Sequence, residues 1–231
     1  MTNQAMKGLF ITFEGPDGGG KTTQLERTAQ FLRQRGVEVE VTREPGGTAL
    51  GEVIRRWLLT PDGTGSAMST ETEALLYAAA RLQHVHERLL PALHAGKVVL
   101  CDRYVDASYA YQAYGNELSL AWVEAINRPA TQRLMPDRTY LLDVPVDVAR
   151  RRLRQRSGER LDRMEQRAEA YHRRVRDALL SLAARCSERF VVIDATRPVD
   201  EVTAAILQDV TALLAARFPA LTTEIDMERK G

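Results

Sequence analysis

Short apolar runs rich in β-branched residues recur at Leu9 to Phe13, Val37 to Thr42, Val98 to Asp102, Thr139 to Asp143 and Phe190 to Asp194. The sequence between successive runs has helical rather than alternating periodicity. Runs of this kind separated by helix predict a parallel sheet covered by helices on both faces. Several helices can be placed individually. Thr22 to Arg35 carries Leu25, Ala29 and Leu32 on one face and stops at Gly36, a residue suited to a helix C-terminus. Thr70 followed by Glu73 reads as a capping box opening a long helix to about His94, closed at Gly96. Met164 to about Arg185 and Val199 to about Phe218 read as two further long helices, and Leu221 to Gly231 as a frayed polar tail.

Composition narrows the class. A chain of 231 residues with 44% apolar and 27% charged content can bury one sizeable core, so a single α/β domain spanning residues 1–231 is expected. The 32 basic residues nearly balance the 31 acidic ones, for a net charge of +1. No global basic field therefore points to nucleic acid or an anionic membrane, and any anion site must be local. Cys101 and Cys186 lack a CxxC spacing and fall in or beside apolar segments, as reduced thiols do. No run approaches the ~20 apolar residues needed to cross a bilayer, and Met1 to Gly8 lacks the apolar stretch of a signal peptide. A cytoplasmic enzyme fits both features.

The chemistry begins at Gly15-Pro16-Asp17-Gly18-Gly19-Gly20-Lys21-Thr22, which fits GxxxxGK[ST] between an apolar run and an amphipathic helix, the context that motif requires. Glycines let successive backbone N–H groups turn toward one anion, and the helix N-terminus adds positive potential. Lys21 can reach the outer phosphates, and the Thr22 hydroxyl can ligate magnesium. ATP or GTP is the expected ligand, with Gly15 through Thr22 and the adjoining Thr23 as its binding set. The competing reading is a glycine-rich turn with no ligand. The loop alone does not separate a GTPase switch, a motor, a transporter ATPase and a small-molecule kinase.

Two arginines narrow that choice. Thr42-Arg43-Glu44-Pro45-Gly46-Gly47 ends the second apolar run and Asp102-Arg103-Tyr104 ends the third. Ligands of doubly wound sheets sit at these carboxyl ends of strands. Guanidinium groups bind phosphate bidentately and stay charged, so Arg43 and Arg103 are candidate ligands of a second, acceptor phosphate. For either arginine alone, a surface ion pair is the competing reading. Asp102 can organise the magnesium shell or merely cap the next segment.

The set Phe13-Glu14-Gly15-Pro16-Asp17 with Gly20-Lys21-Thr22, then Thr42-Arg43-Glu44-Pro45-Gly46-Gly47-Thr48, then Asp102-Arg103-Tyr104, resembles the thymidylate kinases, in order, from about Leu9 to about Ala205. The resemblance implies a P-loop nucleoside-monophosphate-kinase-like three-layer fold with a five-stranded parallel sheet. It also implies magnesium-dependent transfer of the ATP γ-phosphoryl group to dTMP, and a homodimer formed through long helices. By matching positions, Asp17 accepts a hydrogen bond from the sugar 3′-hydroxyl of dTMP, and Arg43 and Arg103 hold its phosphate. Tyr77 stands where the family has a phenylalanine stacking on thymine, and Arg81 addresses a base carbonyl. The pair shares one helix face at i, i+4. Read without the family, Tyr77 is a core aromatic and Arg81 a solvated helix charge. Ser108, Tyr111 and Gln112 resemble the segment that contacts base and deoxyribose. Family members often continue with glycine after the glutamine, whereas this chain has Ala113-Tyr114-Gly115, so a different local turn is expected.

The basic run from Arg150 to Glu165, ending Arg160-Leu161-Asp162-Arg163-Met164-Glu165, resembles the lid of these kinases. On its own such a run reads as a solvated face or a nucleic-acid patch. Beside a P-loop, a closing lid whose arginine stabilises the charge on the transferring phosphoryl oxygens is favoured. One branch of the family carries an arginine inside the P-loop at the position of Gly18, and the other takes its catalytic arginine from the lid. Gly18 places this chain with the second, bacterial type. Arg154 and Arg156 are the leading candidates, with Arg160 behind them, and Lys21 and Arg103 complete the expected catalytic set. The rival readings are a kinase of another nucleoside monophosphate or a deoxynucleoside, and a regulatory or nucleic-acid-binding P-loop NTPase.

Overall fold

The computed structural model describes residues 7–60, 67–157 and 161–218, with the side chains of Arg156 and Ser157 left out. Five parallel strands, β1 (Leu9–Glu14), β2 (Val39–Arg43), β3 (Val98–Asp102), β4 (Arg138–Asp143) and β5 (Phe190–Asp194), form one sheet in the order β2-β3-β1-β4-β5. β1 is buried along its whole length because it lies at the sheet centre between β3 and β4. Alternate side chains of the strands face two cores. Leu9, Ile11 and Phe13 pack with Leu25 and Leu32 of α1 (Lys21–Arg33) and with Ile206 and Val210 of α9 (Val199–Arg217). Phe10 packs on the other face with Val85, Leu89, Val99 and Tyr104. Thr12 and Thr139 turn their hydroxyls to each other at 2.8 Å inside the sheet, so neither is left unsatisfied.

The remaining helices are α2 (Ala49–Leu59), α3 (Thr70–His84), α4 (Leu90–His94), α5 (Val105–Ser108), α6 (Leu120–Thr131), α7 (Val146–Ser157) and α8 (Glu169–Arg185). A wide π-type turn at Val85–Leu89 joins α3 to α4, and a second at Tyr109–Gly115 extends α5. The expected long helix therefore does run from Thr70 to His94, but with one widened turn. Its cap differs from the expectation. Ser69, not Thr70, accepts the Thr72 N–H at 3.1 Å, and the Glu73 carboxylate turns inward instead of completing a capping box. β2 begins at Val39 rather than Val37, because the Val37 N–H reaches back to the Leu32 carbonyl and closes the end of α1 over Gly36, at φ 73°. α8 begins at Glu169 rather than Met164, because the Asp162 carboxylate accepts the Met164 and Glu165 N–H groups, both at 2.8 Å, and holds that stretch in a tight turn.

Both cysteines are free thiols, Cys101 buried and Cys186 partly buried. Among the described residues no helix is long and apolar enough to cross a membrane. The frayed-tail expectation for 221–231 lies outside the described residues. The register aligns Phe13 of β1 with Asp102 of β3, and Asp102 with Arg43 of β2. The P-loop and both arginine-bearing loops therefore leave the sheet at the carboxyl end of its strands. Leu100 is fully buried where β3 lies between β1 and β2. Leu100→Ala should lower unfolding free energy by about 2–5 kcal/mol in a denaturant titration.

Candidate active site

The loop from Gly15 to Gly20 leaves β1 and delivers α1 with no side-chain cap on its first N–H groups. Uncapped N–H groups at a helix start are what an anion cradle requires. Gly15, Gly18 and Gly20 have φ of 137°, 82° and 91°, a region that side-chain-bearing residues avoid. Lys21 is buried and curls over the loop, donating to the Gly15 and Pro16 carbonyls at 3.2 and 2.9 Å, with its Nζ 3.6 Å from Asp17. Gly18 is also an interface. A Cβ there would lie 2.3 Å from the Ala149 carbonyl oxygen and 3.3 Å from the Leu153 nitrogen, so the backbone of α7 rests directly on the P-loop.

The strand ends complete the cleft that opens beyond this loop. Thr22 donates its hydroxyl proton to Asp102 at 3.0 Å. A hydroxyl and a carboxylate on adjacent phosphate-loop and strand ends are hard oxygen donors that fit magnesium. Arg43 binds Glu52 of α2 at 3.1 Å and is 53% exposed toward the cleft. Arg103 has φ 71°, left-handed for a non-glycine residue, a strain that swings its guanidinium inward. There it donates to Asp17 at 2.8 Å and lies 4.7 Å from the ring centre of Tyr111. Burial opposes ionisation of Asp17, but Arg103 and Lys21 outweigh it and hold the carboxyl well below its usual range.

Beyond Arg103 lies a hollow. Tyr77 and Arg81 from α3, and Ser108, Tyr111 and Gln112 from α5 and its extension, all line it, as do Asp17 and Arg103. The five residues expected at the base and sugar are thus brought together with Asp17, expected at the sugar 3′-hydroxyl, and Arg103, expected at the phosphate. Arg43 lines only the larger cleft. Arg81 is almost wholly buried yet charged, because Glu44 accepts from its Nε at 2.7 Å, Ser108 from Nη1 at 2.9 Å and the Tyr104 carbonyl from Nη2 at 3.1 Å, with Asn127 also bonded. It is not a solvated helix charge. The segment Ala113-Tyr114-Gly115 completes the π-type turn, and Gly115 meets the Tyr171 ring of α8 so closely that a Cβ would sit 2.6 Å from it.

A sequence profile of the family described as Thymidylate kinase matches residues 13–206. The thymidylate kinase of Exiguobacterium sibiricum is 48% identical over 212 residues, covering 92% of this chain and 98% of the relative. That of Thermomicrobium roseum is 49% identical over 205 residues, covering 89% and 95%, and that of Pseudomonas fluorescens 49% over 197 residues, covering 85% and 92%. The chain belongs to the thymidylate kinase family. It is therefore a phosphotransferase.

The arginines of α7 do not all point to one task. Arg152 donates to the Ala195 carbonyl at 2.9 Å and Arg150 lies 3.6 Å from Glu169, so both tie α7 to its surroundings. Arg154 is exposed on α7. The side chain of Arg156 and all of Arg160 lie outside the described residues. Sequence reasoning overlooked Arg55, Glu44 and Asp162 as walls of the hollow. Glu44 and Asp162 stood inside quoted motifs, and Arg55 belongs to α2, whose Ile54 and Leu58 repeat at helical spacing.

Glu14 is the unusual group behind Arg103. It is fully buried, its Oε1 accepts the Tyr104 N–H at 2.8 Å, and its Oε2 lies 3.9 Å from Arg103 Nη1 with neither atom hydrogen-bonded. Burial pushes its pKa up to about 8, against the opposing pull of Arg103. The protonated form is thus favoured by folding, and the stability it contributes is lost as pH rises toward and through 8. Unfolding midpoints of the unliganded enzyme should fall between pH 6 and pH 9, and Glu14→Gln should flatten that fall.

Proposed function

We propose that the chain transfers the γ-phosphoryl group of ATP to dTMP, giving dTDP and ADP, as one kinase domain with a lid at about residues 150–165. The observation that carries this reading is the meeting of two cavities at Asp17 and Arg103. One opens onto the P-loop and the other runs to Tyr77, Arg81 and Gln112. A nucleoside monophosphate lying in the second cavity places its phosphate beside the first. Arg103 then exchanges its contact with Asp17 for the acceptor phosphate, with Arg43 facing the same cleft, and Asp17 accepts from the sugar 3′-hydroxyl. Tyr77 stacks on the base, while Arg81, held by Glu44 and Asn127, presents its remaining donor to a base carbonyl. Ser108, Tyr111 and Gln112 bound the sugar and base.

The N–H groups of the loop from Gly15 to Thr23 hold the donor phosphates, and Lys21 leaves its loop carbonyls to bridge donor and acceptor. Thr22 and Asp102 would hold magnesium, which supplies charge neutralisation on the donor phosphates. The acceptor oxygen is already an anion, so no general base is needed. An oxygen of the dTMP phosphate forms the new bond to phosphorus as the bond to ADP breaks, and an arginine from α7 stabilises the equatorial charge. Gly18 supports that assignment, since the Ala149 carbonyl leaves no room for a side chain at that place in the loop. Arg154 and Arg156 are the candidates for that arginine, with Arg160 behind them. A cytoplasmic homodimer is part of this reading. Its support is an apolar face of α2 and α3, where Leu50, Trp57, Leu75 and Leu82 are 44–50% exposed.

Coupled ADP release with ATP, magnesium and a panel of nucleoside monophosphates tests the proposal. Turnover should depend on dTMP, and ADP release that ignores dTMP or needs DNA sinks it. Arg103→Ala should raise the KM for dTMP by about tenfold or more, whereas Arg154→Ala or Arg156→Ala should mainly lower kcat. Equal effects on both parameters undo that division of roles.

A further inference from the structure

Glu73 lies one helical turn before Tyr77 on α3, and its side chain is 1% exposed. A carboxylate that deeply buried costs several kcal/mol unless donors surround it. Its donors come from two separate segments. Oε2 accepts from Arg163 Nη2 at 2.6 Å and Arg167 Nη2 at 3.2 Å, both in the turn that closes the proposed lid ahead of α8. Oε1 accepts from Gln112 Nε2 at 3.2 Å and Asn116 Nδ2 at 2.8 Å, in and after the π-type turn. Arg163 is pinned at its other end, where Nε donates to the Leu58 carbonyl at 2.7 Å and its backbone N–H to the Leu59 carbonyl at 2.9 Å.

Asp162 and Met164, either side of Arg163, line the acceptor hollow together with Tyr77 and Gln112, whereas Glu73 stands behind that wall. One carboxylate thus joins three of the segments that line it. We propose that Glu73 is a positioning residue that couples the anchor of the lid to the base-facing wall of the acceptor hollow, so that occupancy of the hollow and placement of the lid are linked. Linkage of this kind acts in both directions. The proposal rests on the reading of the hollow as the dTMP site. Glutamine at position 73 keeps the shape but sets an amide NH₂ against either the two guanidinium groups or the two amide donors, whichever way it turns.

Hydrogen exchange of the full-length enzyme, with and without dTMP, distinguishes coupling from mere support of the fold. In the unaltered enzyme dTMP should slow exchange in residues 104–116 and in 161–168. In Glu73→Gln the first protection should persist and the second disappear, with strand exchange unchanged, kcat down by about tenfold and the KM for ATP within about twofold. Protection of 161–168 that survives in the variant overturns the proposal, as does a general loss of protection in the strands. An unaltered enzyme that shows no dTMP protection at 104–116 instead refutes the assignment of the hollow itself. Arg167→Gln, at a partly exposed site, reads the same coupling if Glu73→Gln does not fold. The double variant should lose no more activity than Glu73→Gln alone, and multiplied losses overturn the shared contact.

Discussion

The ion pair between Asp17 and Arg103, 2.8 Å long, ties the phosphate loop to the end of β3. Both charges are partly withdrawn from water, Arg103 more than Asp17, and each offsets the other's lost hydration. The pair also explains the backbone around it. Arg103 adopts φ 71° in order to leave the strand inward, and the Phe13 carbonyl accepts its N–H at 3.0 Å, so the turn is fixed from the neighbouring strand. Lys21, Glu14 and Tyr111 are all positioned against this pair, and both cavities end on it. Behind the pair, Arg103 Nη1 and Glu14 Oε2 are both buried and unmatched, 3.9 Å apart.

α7 is built into the same arrangement from the other side. It follows β4 and rests its backbone on Gly18, so the missing side chain at that one position and the closeness of the helix are one feature. Asp162 holds the turn ahead of α8, and Arg163 bonds that turn to α2 and Glu73. The phosphate loop, the hollow beyond Arg103 and this turn therefore share supports rather than standing apart.

Much of this was legible in the sequence because it rests on local signals. The five apolar runs, the P-loop between strand and helix, and the arginines at two strand ends each need only a few adjacent residues to be recognised. The misreadings share the opposite property. Thr70 and Glu73 have the spacing of a capping box, but a buried acceptor for Arg163 and Arg167 wins over a solvent-exposed cap, and those arginines lie about ninety positions away. Met164 continues a helical pattern, yet Asp162 captures its N–H first. Arg81 reads as a surface charge until Glu44, Ser108 and Asn127 are folded around it. Long-range polar satisfaction leaves little periodic trace, whereas the hydrophobic pattern does.

The central claim is that Arg103, held by Asp17, serves the phosphate of the acceptor and not its nucleoside. Calorimetric titration with dTMP and with thymidine tests this directly. The unaltered enzyme should prefer dTMP by about tenfold to a hundredfold, the range expected of a charged hydrogen-bonding contact. In Arg103→Ala that preference should collapse while thymidine binding stays close to its original strength. Equal losses for dTMP and thymidine would contradict the account.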